Sequence, residues 1–355
     1  MRILTVIGAR PQFVKAAVVS RELAKHDAIE ELLVHTGQHF DNGMSDIFFE
    51  QMAIPKPHYS LGISSLSHGA MTGRMLERLE QVMLDVAPDK VMVYGDTNST
   101  LAGALAASKL HIPLVHVEAG LRSFDMRMPE EVNRILTDRV SQVLLCPTQV
   151  AVENLAKEGF ASSGARIVQV GDVMHDAALY YTPRATRPSL LDMNNVKDGF
   201  ALVTLHRAEN TDDLARLRSL VEALNALHQE TPVIVPLHPR TRRALAINGL
   251  QLNVHVLEPV GYFEMLWLLQ HCSVVLTDSG GLQKEAYFFA KPCVTLRGTT
   301  EWVELVEAGV NVLLGDDFHS LSECLDKVRH INMQGLPALY GGGSAARKVV
   351  DQLLM

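Results

Sequence analysis

Strand-like runs that are apolar along their whole length alternate with helical patterns through the sequence, and this alternation most constrains the fold. Examples are residues 2–7, 91–94, 200–205 and 274–277, each followed by a polar turn. A strand that is apolar on both faces has to be covered on both faces, as helices do for a parallel sheet. The pattern therefore predicts an α/β fold built from doubly wound parallel sheets.

The alternation forms two series, which are separated by a polar stretch without periodicity, residues 182–198. The chain has 355 residues, which is more than one ordinary core requires. We predict two Rossmann-like domains, over residues 1–171 and 172–343, with the ligand in the cleft between them. Residues 344–355 are predicted to contain a last helix with Ser344 as its N-cap.

Composition excludes several classes of function. The formal charge of −8 argues against a sequence-independent nucleic-acid surface, which needs an excess of basic residues. No apolar run approaches the roughly 20 residues that span a bilayer, and the amino-terminal run is too short for a signal peptide. The four cysteines lie far apart without CxxC spacing. Reduced thiols and a cytoplasmic protein fit this usage best.

Charged side chains crowd the stretch HVEAGLRSFDMRMPEEVNR, residues 116–134, which follows a buried strand-like run. Charges at the end of a central strand are costly unless they meet partners or a ligand. Glu118 ends the strand, and Glu130 and Glu131 begin a helix. Only one of that adjacent pair can point toward a site. We expect the other to cap the helix or pair with Arg134.

Asp96 and Glu118 each follow a strand-like run, and we expect these two strands to be neighbours in the sheet. The carboxyl ends of parallel strands meet at one edge of a sheet, so these two carboxylates should lie close together. Carboxylates crowded near one site push their pKa values apart, which supplies an acid and a base together. The pattern favours acid–base chemistry at this edge.

A strand gives way to Ser279, Gly280 and Gly281 and then to a helix. The free backbone N–H groups of such a helix start bind anions, and the paired glycines admit a diphosphate at close range. Glu285, one turn later, could accept hydrogen bonds from ribose hydroxyls. The alternative is an ordinary Gly-rich helix start that Asp278 caps.

Three basic residues also follow strands. Arg10 could clamp a phosphate in a bidentate manner, or it could be a surface arginine beside a tight turn. His206 could act as acid, base or phosphate donor, although a lone histidine is more often structural. His238 follows the next strand. If these three converge with the Ser-Gly-Gly turn, they form an anion pocket.

The sequence lacks the motifs of three other chemistries. GxGxxG, the fingerprint of nicotinamide dinucleotide binding, is missing, and so is the GxSxG of serine hydrolases. His35 and His39 have zinc-like spacing only on a helix, whereas here they span a strand end and a Gly turn. We therefore predict no NAD and no metal.

A series of motifs resembles the non-hydrolysing UDP-N-acetylglucosamine 2-epimerases over essentially the whole chain. In order, these motifs are GARPQFVK, HTGQH, YGDTNST, HVEAGLR, PEEVNR, LHRAEN, LHPRT, LTDSGGLQKEA, GTTEWVELVEAG and YGGGSAARKV. The resemblance implies two domains of the glycosyltransferase-B type, with the last helix crossing back onto the first domain. It also implies a second domain that binds UDP, and chemistry that needs neither NAD nor metal.

The implied reaction interconverts UDP-GlcNAc and UDP-ManNAc. A base removes the C2 proton, UDP leaves C1 to give a 2-acetamidoglucal, and UDP returns after C2 is reprotonated on the opposite face. By motif position the resemblance assigns the catalytic roles to Asp96, Glu118, Glu130 and His206. It assigns UDP binding to Arg10, His238, Ser279, Gly280, Gly281 and Glu285, with Lys15 as a weaker candidate.

Two departures from the family pattern concern the sugar. The usual Thr-Glu-Arg-Pro-Glu reads TEWVE over residues 300–304, and the loop before Pro129 is about two residues shorter and carries Arg127. These changes resemble a subgroup that acts on UDP-2,3-diacetamido-2,3-dideoxy-glucuronate in polysaccharide assembly. Arg127 would bind the sugar carboxylate, and Arg134, Glu301 and Trp302 are further sugar-site candidates. Both substrates stay open.

Other functions and assemblies also stay open. A glycosyltransferase of the same fold is the main rival, but it has no use for a base at C2; a catalytically inactive UDP-sugar sensor is the third reading. Gln38 matches a residue of a second, regulatory UDP-sugar site, whereas residues 39–43 depart from that pattern. Methionines at helical spacing over residues 71–83 indicate either a homodimer face or plain core.

Overall fold

The computed structural model describes residues 1–38, 52, 54–193, 196–315, 321–333 and 335–355. This part of the chain forms two compact units: Met1–Leu179 with Ala338–Met355, and Tyr180–Pro337. The predicted domain boundaries, after residues 171 and 343, lie near these junctions and stay a prediction.

The first unit contains a seven-stranded parallel sheet. Its strands are β1 (Arg2–Ile7), β2 (Glu30–His35), β3 (Tyr59–Ser60), β4 (Lys90–Tyr94), β5 (Leu114–Val117), β6 (Val143–Cys146) and β7 (Arg166–Gln169). Their order is β3-β2-β1-β4-β5-β6-β7. The order reverses between β1 and β4, which is the switch point where open α/β sheets bind ligands. The segments after β1, β4 and β5 therefore emerge together at one edge.

Helices cover both faces of this sheet. They are α1 (Arg10–Leu23), α2 (His68–Val86), α3 (Asn98–Lys109), α4 (Pro129–Val140), α5 (Gln149–Lys157) and α6 (Val173–Tyr181). The α2 methionines Met71, Met75 and Met83 are buried in the core with Leu79. Their spacing of four residues places them on one helical face. This confirms the core interpretation of the methionine pattern, and the homodimer stays a prediction.

The second unit repeats the architecture with six parallel strands. They are β8 (Ala201–Thr204), β9 (Val233–Pro236), β10 (His255–Leu257), β11 (Val274–Thr277), β12 (Cys293–Thr295) and β13 (Asn311–Leu313). Their order is β10-β9-β8-β11-β12-β13, so the switch point lies between β8 and β11. The segments after those two strands should carry this unit's ligand site.

The described helices of the second unit differ in length from four residues to seventeen. They are α7 (Ser189–Met193), α8 (Ala208–Thr211), α9 (Leu214–Glu230), α10 (Pro239–Ile247), α11 (Tyr262–His271), α12 (Gly280–Phe288), α13 (Val303–Glu307) and α14 (Leu321–Arg329). The polar stretch 182–198 contains α7, which the sequence reading did not predict. Five residues are too few to show a helical period.

The last helix, α15 (Ala345–Leu354), belongs to the first unit, as the family resemblance implied. The backbone N–H groups of Ala345 and Ala346 donate to the two carboxylate oxygens of Asp176, at 3.1 and 2.8 Å. A carboxylate at a helix N-terminus satisfies free donors and the helix dipole together. No helix in the described ranges is long and apolar enough to cross a membrane.

Candidate active site

Glu118 follows β5 directly and has a strained backbone. Its φ of +73° lies in the left-handed region, which costs a non-glycine residue about 1–3 kcal/mol. Its N–H donates to the Leu145 carbonyl at 3.0 Å, and its buried carboxylate forms an ion pair with Lys15. The surrounding structure therefore holds this carboxylate in one place. Strained residues that are held in this way cluster at functional sites.

Asp96 lies beside it, two residues after β4. Because Tyr94 pairs with Val117 across the two strands, the chain ends carrying Asp96 and Glu118 are neighbours, as predicted. Helix α4 holds Asp96 from the other side. Arg134 forms an ion pair with its carboxylate, and the Asn133 side-chain amide donates to its carbonyl at 2.9 Å. The Asp96 side chain keeps 30% of its surface exposed, so a ligand can reach it.

The adjacent glutamates of α4 separate as predicted. Glu131 is fully buried, pairs with Arg134 at 2.7 Å, and accepts the N–H groups of Ser123 and Phe124, each at 2.9 Å. It therefore organises the loop before the helix. Glu130 instead faces a cavity that also contains Asp96.

This cavity of the first unit has a volume of about 230 Å³. Its polar lining comprises Gln12, Lys15, Gln38, His68, Asp96, Thr97, Asn98, Glu130 and Asn133. Gln38 is fixed there because its side-chain oxygen accepts from the Ser99 N–H and hydroxyl, at 3.0 and 2.7 Å. The side chain of Arg10 and residues 39–43 lie outside the described part of the structure.

The loop between Glu118 and Glu130 presents an arginine to solvent. The Arg127 side chain is 91% exposed. Its guanidinium donates two hydrogen bonds to the Asp125 carboxylate, at 2.8 and 2.9 Å. These bonds lower the pKa of Asp125 to about 2. Phe124, 77% exposed, has a φ of +58°. The loop thus carries an exposed cation, Arg127, and an exposed apolar ring, Phe124.

In the second unit, His206 and Asp278 form a hydrogen-bonded pair at the β8–β11 switch point. His206 Nδ1 lies 3.0 Å from one oxygen of the fully buried Asp278, whose other oxygen accepts the N–H groups of His206 and Arg207, both at 2.8 Å. Burial alone would raise the pKa of Asp278. The contact with His206 and the hydrogen bonds from the Asn210 side chain and the Arg207 N–H lower this pKa below its usual value.

An anionic Asp278 beside Nδ1 favours the form of the His206 imidazole that carries hydrogen on Nδ1, and Nε2 lies on the other side of the ring. His206 is 36% exposed, so Nε2 can exchange a proton with a ligand. The sequence reading considered Asp278 only as a helix cap. The signal it missed is that the carboxylate follows the strand paired with β8, which makes it the neighbour of the residue after β8.

His238 lies beside this pair. The centroid of its ring is 5.5 Å from the centroid of the His206 ring. Its Nδ1 accepts the Arg240 N–H at 3.2 Å, which caps α10. Burial and the neighbouring His206 both lower the pKa of His238, so it favours the neutral form. Arg240 itself pairs with Asp212 at 2.6 Å. The charge of Arg240 is therefore balanced by Asp212.

The Ser-Gly-Gly turn at the start of α12 packs on the segment that departs from the family pattern. Gly280 is buried against the carboxylate of Glu301, and Trp302 lies 4.0 Å from the buried Lys284 ammonium. Glu301 is held by Arg297 at 3.0 Å. Gly281 is exposed, so the backbone of the turn is open to a ligand.

The two glycines of this turn differ in their surroundings, which gives a test of the packing. Gly280→Ala is expected to lower the free energy of unfolding by about 1–3 kcal/mol, because its Cβ would displace Glu301. Gly281→Ala should not lower it, because nothing lies within 4 Å of a Cβ there. Urea denaturation of both ligand-free variants measures this difference. Equal stabilities would contradict the packing described.

Comparison with known proteins identifies the family. The profile described as UDP-N-acetylglucosamine 2-epimerase matches residues 21–354. The chain belongs to this family. A UDP-2,3-diacetamido-2,3-dideoxy-D-glucuronate 2-epimerase from Pseudomonas aeruginosa is 58% identical to it over 354 residues, 99% of each chain. A UDP-N-acetylglucosamine 2-epimerase from Escherichia coli is 34% identical over 384 residues, 99% of this chain and 98% of its own.

Solved structures agree with the assignment. The Methanocaldococcus jannaschii UDP-GlcNAc 2-epimerase in complex with UDP-GlcNAc and UDP superposes with a TM-score of 0.90 at 40% identity, covering 100% of this chain and 99% of its own. The predicted α/β fold of two parallel sheets is confirmed, and so is the enzyme class, because epimerases are isomerases. Family membership also favours the epimerase over the glycosyltransferase. The roles of individual site residues stay predictions.

Proposed function

We propose that this 2-epimerase acts on UDP-2,3-diacetamido-2,3-dideoxy-D-glucuronate. The observation that carries the proposal is the 58% identity, over 99% of both chains, to a relative that bears this name. The UDP-N-acetylglucosamine 2-epimerases of M. jannaschii and E. coli are 40% and 34% identical. UDP-GlcNAc, which the motifs alone favoured slightly, becomes the second candidate.

The reaction is balanced without an oxidant or reductant. A base takes the C2 proton, the C1–O bond breaks with its electron pair passing to UDP, and a C1–C2 double bond forms. A proton then adds to C2 from the opposite face, and a phosphate oxygen of UDP re-forms the bond to C1. Because C2 is never oxidised, we propose that NAD takes no part; the family resemblance implies that no metal is required either.

The first unit is proposed to supply the acid and base. Asp96, which forms an ion pair with Arg134, is the proposed base, and Glu118 is held at the adjacent strand end with Lys15 beside it. Glu130 reaches the same cavity as Asp96. Proton removal from one face and delivery to the other requires at least two such groups.

The second unit is proposed to hold UDP. The helix start at Ser279, Gly280 and Gly281, of which Gly281 is exposed, is proposed to face the diphosphate with its backbone N–H groups. His206 is oriented by Asp278 to donate a proton to the leaving phosphate oxygen, and a neutral His238 can donate a hydrogen bond. The resemblance adds Arg10 and Glu285, the latter for the ribose. Arg134, Glu301 and Trp302 stay candidates for the sugar, and Gln38 for a regulatory site.

The proposed substrate differs from UDP-GlcNAc by a carboxylate at C6 and an acetamido group at C3. A sugar carboxylate needs a cation. Arg127 is such a cation, and it lies in the loop that joins Glu118 to Glu130. Its present partner, Asp125, is also a carboxylate, so the sugar would replace one carboxylate by another. We further propose a cytoplasmic homodimer, without contacts to nucleic acid or membrane.

Arg127→Ala is expected to lower kcat/KM for the diacetamido uronate roughly tenfold to a hundredfold, which is the loss of a charged hydrogen bond. It should change kcat/KM for UDP-GlcNAc by less than about twofold, because that sugar has no carboxylate. Steady-state kinetics on both substrates measure the difference. Arg74→Ala removes another exposed arginine, on α2, and serves as the matched control. Equal losses on both substrates would remove the role of Arg127.

A direct substrate comparison tests the proposed function. Purified protein is incubated with each UDP-sugar in turn, and the epimer is detected by proton NMR through its anomeric signal. We expect kcat/KM for the diacetamido uronate to exceed that for UDP-GlcNAc by about tenfold or more. A preference for UDP-GlcNAc would overturn the substrate while leaving the 2-epimerase family intact.

A further inference from the structure

We propose that His116 is a positioning residue for Asp96 and acts on it through the carbonyl of Gly95. The inference rests on the proposed role of Asp96 in proton transfer. His116 lies on β5 and is 0% exposed, so it cannot touch a substrate. Its Nε2 lies 2.7 Å from the carbonyl oxygen of Gly95, the residue before Asp96.

The carbonyl of Gly95 is an effective point from which to hold Asp96. A peptide unit is planar, so the Gly95 carbonyl oxygen lies in one plane with the nitrogen and Cα of Asp96. The chain turns here, with Gly95 at φ +62°. A bond to the carbonyl oxygen therefore fixes the rotation of this plane, and with it the direction in which the Asp96 side chain leaves the backbone.

The ring of His116 is itself fixed from its other side. Its Nδ1 lies 2.7 Å from one oxygen of the buried Asp138. The second oxygen of Asp138 accepts from the Arg122 guanidinium at 2.7 Å and from the Gly120 N–H at 3.2 Å. Arg122 in turn pairs with Glu158 at 2.6 and 2.8 Å. Each of these buried groups has a partner, and such networks rigidify a core.

Helix α4 supplies both this support and the direct contacts to Asp96. Arg134 and Asp138 are four residues apart, so they lie on one face of the helix. Arg134 pairs with the Asp96 carboxylate, and Asn133 donates to the Asp96 carbonyl. Asp138 holds His116, and His116 holds the Gly95 carbonyl. This carbonyl is the third point at which Asp96 is held, after its carboxylate and its own carbonyl. Three points define an orientation, whereas the ion pair alone would leave Asp96 free to rotate about it.

Two substitutions at this position separate the two ring nitrogens. In His116→Gln the side-chain amide nitrogen can take the place of Nε2 and keep the donor to Gly95. In His116→Asn it can take the place of Nδ1 and keep the contact to Asp138, while the Gly95 carbonyl loses its donor. The variants thus remove one polar contact each, and only one of them is the contact proposed to position Asp96.

The experiment measures epimerisation kinetics of both variants and the wild type on the diacetamido uronate. We expect His116→Asn to lower kcat by about a hundredfold with KM within about twofold, because small misplacements of a reacting group have effects of this size. His116→Gln should keep kcat within about fivefold of wild type. Similar losses in both variants, or a loss confined to KM, would overturn the proposal.

Further measurements separate positioning from stability and from the proposed function. In the Asp96→Asn background, His116→Asn should cause no further loss of kcat, because no carboxylate remains to be positioned; additive losses would contradict the proposal. A neutron crystal structure of the wild type should show hydrogen on Nε2 facing Gly95, and a bare Nε2 would contradict it even if both variants fail to fold. A wild type that epimerises no UDP-sugar would instead refute the proposed function.

Discussion

Asp96→Asn is expected to lower kcat by about 10²–10⁴, the range of contribution that a general base makes. The substitution keeps the shape of the side chain and removes its ability to accept a proton. KM should change little, because the diphosphate that dominates binding is proposed to be held by other residues. Epimerisation kinetics and deuterium exchange at C2 should fall together, since both depend on the same proton transfer.

A matched control is Asp85→Asn, which alters an exposed aspartate of α2 that accepts a hydrogen bond from Gln81. Its kcat should equal that of wild type. Because Asp96 also pairs with Arg134, the thermal midpoint of the Asp96 variant has to be measured. A folded Asp96→Asn variant that retains wild-type kcat would remove the proposed base.

Asp278→Asn is the second substitution for which we expect a large effect, about 10²–10⁴ in kcat. The estimate comes from the loss seen when an aspartate that orients a catalytic histidine becomes an asparagine. The amide would offer a donor where His206 Nδ1 now lies 3.0 Å from a carboxylate oxygen. The imidazole would then accept that donor at Nδ1 or turn away. It would lose the carboxylate that is proposed to orient it, so proton exchange between Nε2 and a ligand would be impaired.

Non-additivity distinguishes this account from a general loss of structure. If Asp278 acts only through His206, the double variant with His206→Ala should be no slower than His206→Ala alone. Asp326→Asn, an exposed aspartate of α14 near Arg329, is the control for the charge change. Losses that multiply in the double variant would show that Asp278 acts independently of His206.

The sequence predicted the two series of strands because each strand is buried on both faces and reads as an unbroken apolar run. It missed α10, whose buried residues are only Thr241 and Leu245, so the apolar stripe that marks a helix is almost absent. It also missed α13 and α7, which have five residues each. The last helix was predicted correctly after Ser344, although the Ser344 side chain does not cap it and the Asp176 carboxylate accepts its first N–H groups instead.

The candidate site was predicted in its residues but not in its contacts. Strand ends brought Asp96 and Glu118 together, and the rule that adjacent helical residues diverge separated Glu130 from Glu131. The pairing of His206 with Asp278 joins residues 72 apart, and that of His116 with Asp138 joins residues 22 apart. Such pairs depend on sheet order and on which helix covers which strand, and a single sequence does not contain that order.

Deuterium incorporation at C2 tests the central claim most directly. The wild-type protein is incubated in deuterated water with UDP-2,3-diacetamido-2,3-dideoxy-D-glucuronate, and the sugar is analysed by NMR and mass spectrometry. Proton removal and return at C2 predicts one deuterium at C2 of the epimer, with no exchange at the other carbons. An epimer formed without deuterium, or no exchange on either this substrate or UDP-GlcNAc, would contradict the account.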